Sequence, residues 1–363
     1  MAETKQVPME GGDMVDPVRV VILGTGQMGS GIARLLLEKE GMRLVGGFAR
    51  RGGRAGMDLG QAIGHQEDIG IAVSNDLPSL LRQVKPDIAI QATCSRLEDA
   101  AGEARSVLGQ GVNLISIAEE MAWPAASSEV IAEELKGLAI TNGVSLLGTG
   151  VNPGFVLDLL VIALSGVCSD IRSITAERVN DLSPYGPSVL NAQGVGLTPK
   201  AFMDGVGSGA VAGHFGFRES LHMIADALGW QIQHIEERRE PIVSSVVRET
   251  PFVRVEPGEV AGCHHSAVAY VDGQPVIELV HPQQIHPQLE GVETGDEIRI
   301  DGTPPVHLWV RPEIAGGEAT VSLAVNMIPR VLDARPGLYS MADLPVPSAI
   351  LGDLRHRLHG RGS

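Results

Sequence analysis

Six residues, Gly24-Thr25-Gly26-Gln27-Met28-Gly29, place glycines at the G-x-G-x-x-G spacing directly behind an apolar run at residues 18–23. Such a turn suits a pyrophosphate. The first glycine allows the tight turn, the second lets backbone approach the phosphates, and the third lets the helix pack closely on the strand. The helix that follows offers unpaired N–H groups and partial positive charge. The motif alone is weak; its place between a strand and a helix is what favours a nucleotide over a bare glycine turn. About 20 residues beyond the glycines, an NAD-binding unit sets an acid against the ribose 2′-OH. Counting on from Gly29 reaches Ala49, then Arg50 and Arg51. Two guanidiniums suit a 2′-phosphate. The sequence therefore predicts NADP(H), with NAD(H) as the second choice; the competing reading is a solvated arginine pair.

The ends of two later strands carry the remaining chemistry, because sites in open parallel sheets lie beyond the carboxyl ends of strands. Ala92-Thr93-Cys94-Ser95 supplies small polar groups for a nicotinamide–ribose channel, and Ala92, Thr93 and Cys94 are assigned to the cofactor. Ser116-Ile117-Ala118-Glu119-Glu120-Met121 places two carboxylates in an apolar stretch. Partial desolvation there raises a carboxyl pKa towards the range of a working base. Glu119 and Glu120 are the catalytic candidates; the alternative is that they open a helix and steady its dipole. Lysine occurs at Lys5, Lys39, Lys85, Lys136 and Lys200, so a lysine acid beside the fifth strand is poorly supported. Cys263-His264-His265 has the composition of a metal site. Neighbours on a strand face opposite ways, however, so no metal is expected. Cys94 has no adjacent base to make it a nucleophile.

These residues need elements to hold them. Residues 18–23, 43–48, 69–73, 87–92 and 112–117 read as strands. Helical patterns lie at 27–40, 78–84, 97–108 and 128–135, the last capped by Ser127, and a sixth strand is expected near 138–141. That alternation predicts a parallel sheet with right-handed crossovers. Residues 148–154 form a Gly- and Pro-rich turn, with a helix over 155–165 behind it. From there strands dominate, at 171–179, 232–247, 260–271, 275–280, 297–300, 306–310 and 319–325, interrupted by a helical insert at 209–228. A last helix is expected at 348–359. The predicted class is α/β: an N-terminal Rossmann domain with a parallel sheet, plus an α+β substrate and dimerisation domain with a mainly antiparallel sheet. The expected division is a loose tail at 1–16, a dinucleotide-binding domain at 17–150, a substrate domain at 151–330, and a C-terminal segment at 331–363 returning towards the first domain.

The composition removes other classes. The net charge is -16, from 28 Lys and Arg against 44 Asp and Glu, and only 3% of residues are aromatic. A duplex or an anionic membrane is repelled on average, and a base-stacking platform lacks its rings, so no nucleic acid or membrane partner is expected. Three cysteines make no disulfide framework, which with the polar N-terminus points to the cytoplasm.

Four segments together resemble the 2,4-diaminopentanoate dehydrogenases and native amine dehydrogenases, within the dihydrodipicolinate reductase-like oxidoreductases. They are the glycine turn, residues 116–124, Gly148-Thr149-Gly150-Val151-Asn152-Pro153-Gly154-Phe155, and residues 326–347. The resemblance implies NAD(P)-linked oxidative deamination of a primary amine or diamino acid, reversible as reductive amination of a ketone or aldehyde with ammonia. It also implies a catalytic glutamate in the segment matched by Glu119-Glu120. On that reading Thr149, Gly150, Asn152 and Pro153 shape the cofactor–substrate crevice, with Asn152 placing either partner. Tyr185, in a loop at 180–193, covers the substrate, and His264 adds a polar contact. Arg178 and Asp181 are candidates for the charged ends of a diamino acid. A homodimer through exposed strands of the second domain is expected. Two alternatives stand beside this reading. One is an imine or dihydrodipicolinate-type reductase, although His264-His265 lack that enzyme's following lysine and Ser-Gly-Thr. The other is a non-catalytic NADP(H)-binding sensor.

Overall fold

The computed structural model describes residues 16–358; the tail expected at 1–16 falls outside them except for Asp16. Chain order in the first half is β1 (Val18–Leu23), α1 (Gln27–Glu38), β2 (Met42–Phe48), α2 (Leu59–Ala62), β3 (Val73–Ser74), α3 (Leu77–Val84), β4 (Ile88–Gln91), α4 (Leu97–Leu108), β5 (Asn113–Ser116), α5 (Glu129–Thr141) and β6 (Ser145–Gly148). These six strands and a late one, β15 (Gly337–Tyr339), form a wholly parallel sheet in the order β15-β6-β5-β4-β1-β2-β3. Helices cover both faces, so the inner strands are apolar on both sides, as in Val20, Val21, Ile22 and Leu23 of β1. The strand order reverses between β1 and β4, and such a switch point opens a crevice above the sheet.

After α6 (Leu159–Ser165) a second sheet begins with β7 (Asp170–Asp181). Helices α7 (Pro187–Ala192), α8 (Pro199–Ser208) and α9 (Phe217–Leu228) follow it. Next come β8 (His234–Val243), a two-residue ribbon of β9 (Arg248–Glu249) and β10 (Arg254–Val255), β11 (Val260–Val271), β12 (Gln274–Gln284), β13 (Gly295–Thr303) and β14 (Val306–Val310). The sheet order is β14-β13-β7-β12-β11-β8, antiparallel except for the β7–β12 pair. One face carries Ile174, Ala176, Ala267, Ala269, Ile277 and Leu279, which pack with Phe217, Leu221 and Ile224 of α9. Further along β7 and β12 the same face turns polar, through Arg178, Asn180, His281 and Gln283. That change of character at one end of a buried face marks where a site lies.

The chain then returns to the first sheet. Helix α10 (Gly316–Asn326) lies against α1 so closely that a Cβ on Gly31 would sit 2.8 Å from Val321 Cγ2. After α11 (Ile328–Asp333), β15 pairs with β6, Gly337 opposite Ser145.

Several local expectations need correction. Residues 138–141 close α5 rather than forming a strand, because Ala132, Leu135 and Ala139 keep one buried helical face; the strand comes later, at Ser145–Gly148. Ser128 caps α5, accepting from the Ile131 N–H at 3.4 Å, while Ser127 donates to Glu219. Residues 319–325 are helical: a short apolar run carries no period to separate the two states. Gly209, at φ +79°, ends α8, so the insert at 209–228 shrinks to α9. In place of the helix expected at 348–359, the described residues 348–358 hold one 3₁₀ turn, Leu354–Arg357; residue 359 lies outside the described residues. The helix behind the 148–154 turn starts at Leu159 because buried Asp158 gathers the turn. It accepts from Gly154 N–H and Leu159 N–H at 2.7 Å each and from the Ser220 hydroxyl at 2.8 Å.

Gly148 ends β6 where the chain after β5 crosses it. A Cβ there would lie 1.8 Å from the Met121 carbonyl oxygen. Gly148→Ala should therefore lose at least about 2 kcal/mol in urea unfolding, since backbone must move to admit the methyl.

Candidate active site

The phosphate-type turn sits at the switch point. Gly24 takes φ +104°, and a Cβ would lie 2.4 Å from the Ala92 carbonyl oxygen. A Cβ on Gly29 would lie 2.0 Å from the Gly24 carbonyl oxygen. Gly26 differs: nothing lies within 4 Å of the space its Cβ would take. It begins α1, whose first turn has no side-chain cap and no acidic residue. Open space before unpaired N–H groups is what a pyrophosphate requires, so these residues fit a dinucleotide. The end of β2 carries no acid. Arg50 is held by Glu103, by the Asp99 carbonyl at 2.6 Å and by Cys94 Sγ at 3.5 Å. Thr93 donates to Glu103 at 2.6 Å. Arg51 is exposed, and Arg54 reaches back to the Thr25 carbonyl oxygen. Arg54 was not among the predicted site residues; its spacing on a glycine-rich loop gave no signal.

A cavity of about 290 Å³ opens beside α1, where Gln27 and Met28 meet Ser95, Glu119, the 150–153 turn and the polar end of the second sheet. Glu119 begins the 3₁₀ turn Glu119–Ala122, directly after β5. Burial pushes its carboxyl up to about 7, with the nearby Glu120 charge adding to the rise. Its own N–H and the Ser95 hydroxyl oppose that shift. Glu120 is committed elsewhere: its Oε2 accepts from the Leu97 N–H at 2.7 Å, at the start of α4. The two adjacent carboxylates thus separate into one that faces the cavity and one that caps a helix.

Across the cavity, Asn152 Nδ2 lies 3.1 Å from His214 Nε2 and 3.3 Å from His281 Nδ1. His281 Nε2 lies 3.0 Å from Asn180 Oδ1. Burial holds both imidazoles well below their ordinary pKa, and the neighbouring histidines and Arg178 add to it. They are neutral at pH 7. His281 then donates to Asn180 through Nε2, and both histidines accept from the Asn152 amide through their bare nitrogens. The Asn152 Oδ1 is left buried without a partner. Arg178 lines the cavity too, but it donates to Asp296 at 2.6 Å and to the Ile314 carbonyl. Its charge is matched inside the protein.

The predicted residues divide accordingly. Gln27, Met28, Glu119, Gly150, Asn152, Pro153 and Tyr185 share the cavity wall. Thr149 does not join them: it is buried, and its hydroxyl donates to Met341 Sδ at 3.1 Å. His264 also lies away from the cavity. On β11 the odd positions Cys263, His265, Ala267 and Ala269 are buried, which turns His264 to the other face. His265 accepts from the His214 N–H at 3.0 Å. Asp181 accepts from Ser183. Sequence reasoning missed His214, Gln193 and Gln283, which are scattered single residues in the chain with no motif around them. No group of three metal-ligating side chains gathers among the described residues, and no helix there is long and apolar enough to cross a membrane.

Comparison with known proteins places the chain among relatives. A family model described as the 2,4-diaminopentanoate dehydrogenase C-terminal domain matches residues 155–360. A second, the N-terminus of dihydrodipicolinate reductase, matches residues 18–116. The chain is 44% identical over 346 residues to a 2,4-diaminopentanoate dehydrogenase from Acetoanaerobium sticklandii, covering 94% of this chain and 97% of the relative. It is 25% identical to an amine dehydrogenase from Streptomyces virginiae, over 92% and 98% of the two chains. The solved structure of an amine dehydrogenase from Mycobacterium smegmatis superposes with a TM-score of 0.83 at 29% identity, covering 92% of this chain and 98% of that one.

A carboxyl raised to about 7 binds its proton more tightly in the folded than in the unfolded chain. Its contribution to stability therefore falls as pH rises from about 4.5 to about 7. Glu119→Gln should raise the melting temperature at pH 8, and the gain should shrink towards pH 5. A gain that stays constant across that range would remove the desolvation account.

Proposed function

The chain belongs to the 2,4-diaminopentanoate dehydrogenase family, and from that premise we propose which residues run its reaction. It is an NAD(P)-dependent amine dehydrogenase, an oxidoreductase acting on CH–NH2 groups. The observation that carries the residue assignment is Glu119: a carboxyl raised to about 7 lines the same cavity as the first residues of α1.

A nicotinamide dinucleotide held at the turn of Gly24, Gly26 and Gly29 would accept the hydride in deamination and supply it in amination. The protein manages the protons. In deamination the Glu119 carboxylate takes a proton from the substrate ammonium, giving the neutral amine whose carbon can lose hydride. The resulting iminium is positive, and the same carboxylate, once it has released its proton to solvent water, faces it and steadies the charge. Water adds to the iminium carbon. Glu119 then takes a proton from that water and returns it to nitrogen; as ammonia leaves, the same carboxylate takes the remaining hydroxyl proton and the carbonyl forms. Amination runs these transfers backwards. Asn152 offers its free Oδ1 to an N–H at the reacting nitrogen, with its amide fixed by His214 and His281. Glu120 holds the loop that presents Glu119 by capping α4. We assign the acid–base role to Glu119 and not to Glu120.

The reading extends to preference and setting. The absence of an acid at Ala49, with Arg50, Arg51 and Arg54 around the turn, supports NADP(H) over NAD(H). A 2,4-diamino acid is the proposed substrate, following the name of the Acetoanaerobium sticklandii relative. Free edges on β8 and β14 support a homodimer, and three unpaired cysteines support a reducing, cytoplasmic setting.

Glu119→Gln should lower kcat for NADP+ reduction with 2,4-diaminopentanoate by about a hundredfold or more, within the usual range for a lost acid–base group. In the parent, kcat should rise with pH through about 7. Glu120→Gln should cost less than tenfold. Equal losses would move the role off Glu119. Short primary amines on a secondary carbon, such as 2-aminopentane, belong in the same assay, because a parent that prefers them rejects the diamino acid. Arg50→Ala and Arg51→Ala should each cut the NADPH-to-NADH ratio of kcat/KM by about tenfold, as expected for losing a guanidinium–phosphate contact; a parent favouring NADH overturns the preference.

A further inference from the structure

We propose that Gln193 and Gln283 form a subsite for the zwitterionic head of an amino-acid substrate, the part that does not react. This rests on the reading above, in which the amine is oxidised in the same cavity. Gln193 follows α7 and Gln283 lies near the end of β12; both line the cavity and are only 3% and 6% exposed. Gln193 Oε1 and Gln283 Nε2 have no hydrogen-bond partner. A buried amide atom without a partner is costly, and two in one wall point to a ligand that completes them.

What is left over selects the ligand. One atom is an acceptor and the other a donor. An ammonium takes the acceptor and a carboxylate takes the donor. The charge balance of the wall points the same way. His214 and His281 are neutral, and Arg178 is matched by Asp296. A lone carboxylate would stay uncompensated there, whereas a head of zero net charge would not. A plain alkylamine would leave both amides unpaired. A wall built to hydrogen-bond a group discriminates strongly against analogues that lack it.

The test separates binding from turnover. 2-Aminopentanoate has the head but no amine at carbon 4. Calorimetric titration of the full chain should show it binding the parent. Gln193→Met and Gln283→Met keep side-chain volume and should each weaken it about tenfold, the usual scale for a hydrogen bond to a charged group. Gln283→Glu, which sets a second carboxylate against the first, should weaken it further. Thermal melts and NADPH fluorescence titration establish that each variant is folded. In deamination assays, the kcat/KM ratio of a 2,4-diamino acid to 2-aminopentane should fall about tenfold in each Met variant, mainly through the KM of the diamino acid. If the parent does not bind 2-aminopentanoate, or folded variants bind it equally well, the subsite is overturned. If the binding differences appear but the parent oxidises neither substrate, the subsite stands and the functional reading falls.

Discussion

Ionising Glu119 means removing water from a carboxylate that receives little in return, its own amide and the Ser95 hydroxyl. That imbalance depends on a crowded neighbourhood. The 3₁₀ turn carrying Glu119 is pressed against β6 at Gly148, where no Cβ fits, and the end of the same turn is held by Glu120 on α4. Asp158 ties the following turn to α9, which brings Asn152 to the opposite wall. Packing contacts of ordinary kinds thus maintain a charge balance that the solvent would otherwise erase.

The two sheets contribute differently. The parallel sheet brings the glycine turn and Glu119 together, because its strands all point their carboxyl ends to one side. The second sheet supplies neutral hydrogen-bonding groups in register, Asn180 opposite Gln283 on neighbouring strands. On the proposed assignment, chemistry common to a reaction type comes from the first wall and selection among substrates from the second. A cation buried at Arg178 belongs to neither task directly; it is spent on Asp296, which also accepts from the Ile314 N–H at 2.8 Å and so holds the approach to α10.

Much of this was legible from residue order, and the failures have causes. The Rossmann half was readable because a glycine turn between an apolar strand and a periodic helix has few other uses; β1 and α4 fall at their expected bounds. The carboxylate pair was visible as a pair. Its division into one cavity group and one cap was not, since that depends on where α4 begins in space. His264 stands out in the sequence because a histidine pair attracts notice, yet alternation on β11 turns it away. His214, Gln193 and Gln283 are brought together by loops and by a parallel strand pair distant in sequence, and no local pattern announces such contacts. The α10 segment was misread as a strand because seven mostly apolar residues fit either state.

β15 has a consequence for how the molecule comes into being. The seventh strand of the first sheet arrives only after the whole of the second domain has been made, yet it pairs with β6, laid down nearly two hundred residues earlier in the chain. During synthesis the edge of β6 must wait, bare, while the ribosome completes the rest. The amino-terminal half is therefore no freestanding module. A chain released before residue 339 would leave that edge open to a neighbour's strand, and nascent protein of that length is where chaperone demand and aggregation should concentrate.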